Sequence, residues 1–338
     1  LPRASKDLGG TFEIRAGKFR RYHGESFISH LFDVPTNLKN IRDFFYMIAG
    51  FFQSLRLLGR TRPDAVFIKG GFVGVPVGFA CRVRRIPYFT HDSDTVPGLA
   101  NKLIAKHAVY HAVGMPAEFY RYPKSKTRYT GIPLSEAYEE VTPADQKKFR
   151  QALHIPEDAQ VVSLTGGSLG AVRLNKSFHA IAESLLESFP KLHILHQTGS
   201  TEPLYTALPE SMHRRVTEVA FTDELATFTG AADVVIARAG ATTIAELAVQ
   251  GKTCVVVPNP QLTGGQQTKN AAYLAKHHAA IVVTETEAEQ PASFEQVISD
   301  LLRNSKQRKA LSEAIAKLAK PHAAEELTAI LVKIAQHK

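Results

Sequence analysis

Short β-branched runs recur at helix-sized intervals through the second half of this chain, at residues 161–165, 192–196, 216–221, 234–237, 254–257 and 280–283. The stretches between them are amphipathic. After Gly170, the residues Leu174, Phe178, Ile181, Leu185 and Phe189 follow at intervals of four, three, four and four, which places them on one apolar helix face. A strand, then a helix with one apolar face, then another strand is the βαβ unit, and its repetition dictates a parallel sheet covered by helices. An all-β or all-helical fold is excluded.

The first half has the same rhythm. Strands are expected at residues 65–69, 87–91, 108–113 and 128–130, with helices at 75–84 and 99–107. Near Pro133 the rhythm resets. Glu139, Glu140 and Pro143 form a polar connection, and a short helix over residues 145–153 opens the second half. The chain therefore reads as two doubly wound α/β domains with a ligand cleft between them. The expected bounds are 1–135 for the first domain and 136–319 for the second, with 320–338 returning to the first. Helices are expected at 296–318 and 325–334, and Pro321 breaks the path between them. At 338 residues there is room for both cores.

Composition narrows the partners. The net charge of +9 favours anionic ones. No zinc-finger spacing or aromatic-interleaved RNA motif is present, so a nucleic-acid partner is not expected and would rest on charge alone. No apolar run approaches the roughly eighteen residues of a membrane span. Phe44, Phe45, Ile48, Phe51 and Phe52 lie among Lys39, Arg42, Arg56 and Arg60. Core packing is one reading; a patch that docks on an anionic membrane surface is the other. Cys81 and Cys254 sit far apart in apolar runs, as buried thiols of a reducing compartment would.

The chemistry gathers in glycine turns. Thr165-Gly-Gly-Ser-Leu-Gly-Ala171 follows one strand and opens a helix, so the amides of Gly167, Ser168, Leu169 and Gly170 can hold phosphate oxygens. A plain tight turn is the duller account. Ala239-Gly-Ala-Thr-Thr-Ile-Ala-Glu246 follows another strand. Ala241, Thr242 and Thr243 offer amides and hydroxyls there, and Glu246 lies a turn into the helix, where it can accept from ribose hydroxyls. A Thr243–Glu246 capping box would explain the same residues. Gly264-Gly265 precedes Gln266, Gln267 and Asn270, uncharged amides suited to sugar hydroxyls. These turns together suggest a nucleotide-sugar site. In the first half, His91, Asp92 and Asp94 follow a strand. Asp92-Ser93-Asp94 superficially matches an Asp-x-Asp metal clamp, but a carboxylate pair facing an acceptor, or an Asx turn before Pro97, fits the context better. The histidines show no metal-ligand spacing, and His196 is expected to be a hydrogen-bonded strand-end residue.

Taken together, Gly70-Gly-Phe-Val-Gly74, residues 91–101, Gly131-Ile-Pro133, 166–171, His196-Gln-Thr-Gly199, Phe221-Thr-Asp-Glu-Leu225, Arg238 through Glu246 and Gln266-Gln-Thr-Lys-Asn270 resemble the MurG type of UDP-N-acetylglucosamine transferase over nearly the whole chain. The resemblance implies a GT-B fold, that is, two Rossmann-like domains with the donor held by the C-terminal one. It implies UDP-N-acetylglucosamine as donor, a polyprenyl-diphosphate-linked muramyl-peptide as acceptor, and an inverting displacement in peptidoglycan precursor synthesis at the cytoplasmic face of the membrane. It places the diphosphate at Ser168 and its loop, with phosphate and sugar contacts from Ala241, Thr242 and Thr243. The ribose falls to Glu246 and the uracil to Phe221 and Leu225, with Thr222 among the donor contacts. The N-acetylglucosamine falls to Gln266 and Gln267. No cofactor is implied, and a divalent metal would at most stimulate.

The sequence departs from the family pattern at several points. The usual His-Glu-Gln-Asn reads His91-Asp-Ser-Asp94, the usual arginine after the Gly131 turn is Ser135, and the glutamine usual after Ser168 is Leu169. The family's first strand and histidine-bearing glycine loop are expected to be missing, and with them the best candidate base. Asp92 and Asp94 then remain as catalytic candidates on the acceptor side. Two alternatives keep the fold: transfer to another glycolipid, or a UDP-sugar-binding module that is inactive without that loop.

Overall fold

The computed structural model describes residues 10–17, 34–167, 171–199 and 202–336. They divide into two units. One holds the residues up to Thr130 together with those from Glu325 onward, and the other holds Gly131–Ala324.

Among the described residues the first unit has α1 (Val34–Thr61), followed by β1 (Val66–Ile68), α2 (Gly74–Arg84), β2 (Tyr88–Asp92), α3 (Leu99–Ile104), β3 (His111–Val113) and β4 (Thr127–Tyr129). The strands pair in parallel in the order β1-β2-β3-β4. The two inner strands, β2 and β3, are buried along their whole length, as strands covered on both faces are. Leu58 of α1, Ala80 and Cys81 of α2, Ile68, Tyr88 and Ile104 form one core.

The second unit begins with α4 (Pro143–Ala152), whose Thr142 cap forms a capping box with Asp145. Then follow β5 (Gln160–Thr165), α5 (Val172–Ser188), β6 (Leu192–Gln197), α6 (Glu210–His213), β7 (Val216–Val219), α7 (Leu225–Ala231), β8 (Val234–Ala237), α8 (Ala241–Val249), β9 (Cys254–Val256), α9 (Gln266–Lys276), β10 (Ile281–Val282), α10 (Glu285–Ala288), α11 (Pro291–Arg303) and α12 (Ser305–Ala316). The parallel sheet runs β10-β9-β8-β5-β6-β7. Alternate residues feed two cores: Val162, Leu164 and Ile236 on one face meet Phe178, Ile181 and Leu185 of α5, while Val161, Val235 and Ala237 on the other meet Ile244 and Leu247 of α8. The apolar helix face expected after Gly170 is thus realised by Leu174 through Phe189.

Two expectations change. The helix expected over 296–318 is broken at Asn304, whose side chain accepts from the Gln307 amide at 3.0 Å and starts α12 afresh. The strand expected to reach Phe221 ends at Val219, leaving Phe221 outside the ladder. The last helix, α13 (Ala323–Gln336), lays Leu327 and Ile334 against Phe89 and Ala112 of the first sheet, with Ile330 and Leu331 beside them. That spacing of three, one and three is a single helix face.

Candidate active site

Strand order decides where a ligand can sit. From β5 the chain moves outward through β6 and β7, then returns to β8 on the other side of β5. The crevice outside the carboxyl ends of two such strands is the topological switch point of an open parallel sheet. Thr165 and Ala237 are register partners at those ends, so the two glycine turns leave the sheet side by side. They are not consecutive strand ends in the chain; the crossover makes them neighbours.

In the turn after β5, the Gly167 amide donates to Thr165 Oγ1 at 3.2 Å, and Gln197 Nε2 donates to the Gly167 carbonyl at 3.3 Å. Gly167 has φ +85°, and a Cβ there would meet nothing within 4 Å. Backbone conformation, not crowding, therefore calls for glycine. Ser168, Leu169 and Gly170 lie outside the described residues.

After β8, Gly240 is the N-cap of α8 and no side chain caps the helix. The capping box suggested by Thr243 and Glu246 does not form, because the helix starts at Ala241 and Thr243 is already inside it. The first amides of α8 therefore remain donors for a ligand at the positive end of the helix dipole. The turn itself is rigidly held. Arg238 is buried, donates to the Val257 carbonyl at 3.1 Å and pairs with Glu285 at 2.6 Å. Glu285 pairs in turn with Arg173 of α5 at 2.6 Å. Asn270 of α9 donates to the Ala239 carbonyl at 3.0 Å.

Glu246 is half-buried, and burial pushes its carboxyl up to about 7. The Tyr138 hydroxyl donates to that carboxylate and works in the opposite direction. Tyr138 is a partner of a candidate site residue that sequence reasoning missed. It lies in the polar connection before α4, and nothing local marks it.

Next along the sheet, Gly264 at φ +78° and Gly265 at φ +62° take left-handed conformations that lead the chain into α9. Gln267 Oε1 accepts from the Asn259 amide at 2.8 Å, so half of its amide group braces the loop after β9. Gln266 is half-buried beside it. After β7, Phe221 is 59 % exposed, Thr222 Oγ1 accepts from the Glu224 amide at 3.0 Å, and Leu225 packs under the core as the first residue of α7. All these residues lie at the carboxyl edge of one sheet. Ala241, Thr242, Thr243 and Glu246 share one helix there, while Phe221 and Leu225 follow its far strand.

The first-unit candidates behave differently. His91 is fully buried at the edge of the Phe67 ring, 6.3 Å between centroids. Asp92 is buried as well; its Oδ1 accepts from the Gly98 amide at 3.0 Å and its Oδ2 from the Tyr122 hydroxyl at 2.8 Å. Asp92 is thus a brace across the loop, close to the Asx-turn alternative. Asp94 is half-buried, and its carbonyl accepts from the Tyr120 hydroxyl at 2.8 Å. His196 is a buried strand residue bonded through Nδ1 to Tyr205 Oη at 2.7 Å and through Nε2 to Asn175 Oδ1 at 3.2 Å, and burial holds its ring down at about 3. Cys81 and Cys254 are buried free thiols, pushed up to about 12 by desolvation.

On α1, Phe44, Phe45, Ile48 and Phe52 are exposed, whereas Phe51 packs against the first-unit core and leaves the proposed patch. Among the described residues no helix is long and apolar enough to cross a membrane, and no group of three or more His, Cys, Asp or Glu side chains is placed to hold a metal ion.

Comparison with known proteins follows the same division. The glycosyltransferase family 28 C-terminal domain matches residues 161–327 and the family's N-terminal domain matches residues 11–111. The UDP-N-acetylglucosamine–N-acetylmuramyl-(pentapeptide) pyrophosphoryl-undecaprenol N-acetylglucosamine transferase of Salinibacter ruber is 33% identical over 293 residues, covering 86% of this chain and 77% of its own. The enzyme of the same name from Geobacter sulfurreducens is 34% identical over 291 residues, covering 86% and 77%. The crystal structure of Acinetobacter baumannii MurG superposes with a TM-score of 0.66 at 26% identity, covering 86% of this chain and 80% of that one. The calicheamicin glycosyltransferase CalG4 shares the fold at 15% identity, with a TM-score of 0.63 over 98% of this chain and 88% of its own.

Proposed function

We infer that this chain, which belongs to glycosyltransferase family 28 and has the GT-B fold, transfers N-acetylglucosamine from UDP-N-acetylglucosamine to a lipid-linked N-acetylmuramyl-peptide acceptor. The observation that carries the donor site is the uncapped start of α8 beside the Gly167 turn at the switch point, with Glu246 one turn further in. Amides of Ala241, Thr242 and Thr243 and of the Gly167 turn hold the diphosphate. Glu246 accepts from the ribose hydroxyls, and exposed Phe221 offers a face to the uracil, with Thr222 and Leu225 shaping its loop. Gln266, and the Gln267 amide nitrogen left over from the Asn259 brace, bind the sugar.

Chemistry follows from that placement. An acceptor hydroxyl oxygen bonds to the anomeric carbon while the bond from that carbon to the β-phosphate oxygen breaks. The bonding pair leaves with UDP, and the hydroxyl proton passes to a base. A single displacement inverts the anomeric centre. Charge grows on the departing diphosphate, and fixed amides at a helix start stabilise it without reorganising. Asp92, with both oxygens hydrogen-bonded, braces the acceptor-side loop. The exposed apolar side chains of α1, with Arg42 close by, support docking on an anionic membrane surface.

Incubation with labelled UDP-N-acetylglucosamine and a lipid-linked muramyl-peptide tests the activity. Label is expected in the lipid product, with UDP-glucose a poor donor. Equal use of both donors, or release of free sugar without transfer, contradicts it.

A further inference from the structure

In the first unit a cavity of about 530 Å³ opens between α3 and the loop joining β3 to β4. Lys102 and Lys106 stand on one side of it, and Arg121 and Lys126 on the other. No aspartate or glutamate lines it, and none of the four cations takes part in an ion pair among the described residues. Their field is felt nearby: after burial, Lys126 helps to lower the His111 ring, and Lys106 and Lys126 help to lower His107. Gathering unpaired cations round a concavity is unfavourable until an anion enters, and the same arrangement concentrates anions there.

A second observation points the same way. His111 lines the cavity and is only 1 % exposed. Its ring stacks on Tyr122 with centroids 4.0 Å apart and planes 12° from parallel. Nδ1 is bonded to Thr90 Oγ1 at 2.9 Å, and Nε2 has no protein partner among the described residues. In the tautomer in which the Thr90 hydroxyl donates to Nδ1, the ring's proton sits on Nε2 as an unused donor. Besides Lys126, the charged group acting on His111 is Asp92, which the Tyr122 hydroxyl and the Gly98 amide already engage. Pro97, Pro123 and the Tyr122 ring make part of the wall apolar.

We propose that this cavity binds a phosphate ester, its phosphate taken by His111 Nε2–H and by Lys102, Lys106 and Arg121, and its organic body lying against Tyr122 and the two prolines. Every described lining residue falls between positions 97 and 126, so the cavity belongs to the first unit, whereas the donor candidates belong to the second. A free phosphate ester and the headgroup of an anionic lipid share this chemistry.

The test follows the His111 ring by NMR in the full chain, with UDP at saturation so that the second unit takes no further phosphate. Glycerol 3-phosphate is expected to shift the ring signals saturably and to raise the ring's titration from about 4, while glycerol leaves both unchanged. The double substitution Lys102→Glu with Arg121→Glu, at two exposed positions, is expected to weaken that binding at least tenfold with an unchanged thermal melt; Lys106→Glu alone provides the check if the double variant does not fold. Vesicles identify the source. If the ester is a headgroup, glycerol 3-phosphate displaces the wild type from phosphatidylglycerol vesicles; if it is free, binding leaves partition onto the vesicles unaltered. Ring signals that do not respond to glycerol 3-phosphate, or charge-reversed variants that bind it as the wild type does, overturn the proposal.

Discussion

Glu246 must satisfy two opposed demands. Its place one turn into α8 half-buries it, and burial favours the neutral acid, so its carboxyl is raised from the ordinary 4.5 of a glutamate to about 7. Accepting from ribose hydroxyls calls for the ionised form, which the Tyr138 hydroxyl favours. UDP affinity is therefore expected to rise as pH climbs through about 7. Tyr138→Phe removes the donor that favours the carboxylate and should move that rise to higher pH; calorimetry across the range checks it, and an unmoved midpoint rejects the coupling. For folding the sign is opposite. A group titrating higher in the folded state contributes stability that is complete below the unfolded value and is lost as pH rises towards 7. Glu246→Ala should weaken UDP binding by about 1–3 kcal/mol, the worth of charge-assisted hydrogen bonds, and unchanged affinity would reject the ribose contact. At this scale the strand–glycine–helix pattern marked the position of Glu246 on its helix, which the fold realises. Tyr138 stayed hidden because its partner is remote in sequence and its own segment has no periodicity. The surroundings of His91 and Asp92 were hidden for a related reason. A strand end looks the same in sequence whether its side chains face a ligand or, as here, Phe67, Gly98 and Tyr122.

Elements were the most legible level where both faces of a strand are buried. Val161 through Thr165 and Val234 through Ala237 are apolar or small on both sides, and both became central strands. Helix boundaries were less legible. Residues 296–318 keep an apolar periodicity across Asn304, yet the side chain of Asn304 turns back to cap Gln307 and divides the helix. Periodicity cannot see a change of direction that preserves the apolar face. Asn304→Ala should cost about 1 kcal/mol, the usual worth of an N-cap, measured by urea denaturation of the full chain. A midpoint within error of the wild type would mean that packing alone holds the break. The Thr243–Glu246 spacing illustrates the reverse error, since it spells a capping box but α8 has already started at Ala241. That early start leaves the first amides uncapped, which is what a phosphate site needs.

At the scale of the whole molecule, the decisive feature is strand order, which no local pattern encodes. Parallel α/β units could be read from alternation; the return of the chain from β7 to β8 could not, and it alone brings the Gly167 and Gly240 turns together. The first unit brings a different property. Phe44, Phe45, Ile48 and Phe52 leave an apolar face uncovered on α1. The chain is therefore expected to sediment with phosphatidylglycerol vesicles and much less with phosphatidylcholine ones, and Phe45→Ser with Phe52→Ser should abolish the difference. Equal partition onto both lipids would count against a docking face. The donor site makes the sharpest demand of all. A crystal of the full chain grown with UDP is predicted to show the diphosphate on the amides of Ala241, Thr242 and Thr243, with the ribose hydroxyls on Glu246; UDP bound anywhere else, or that helix start closed over by its own side chains, would contradict the account.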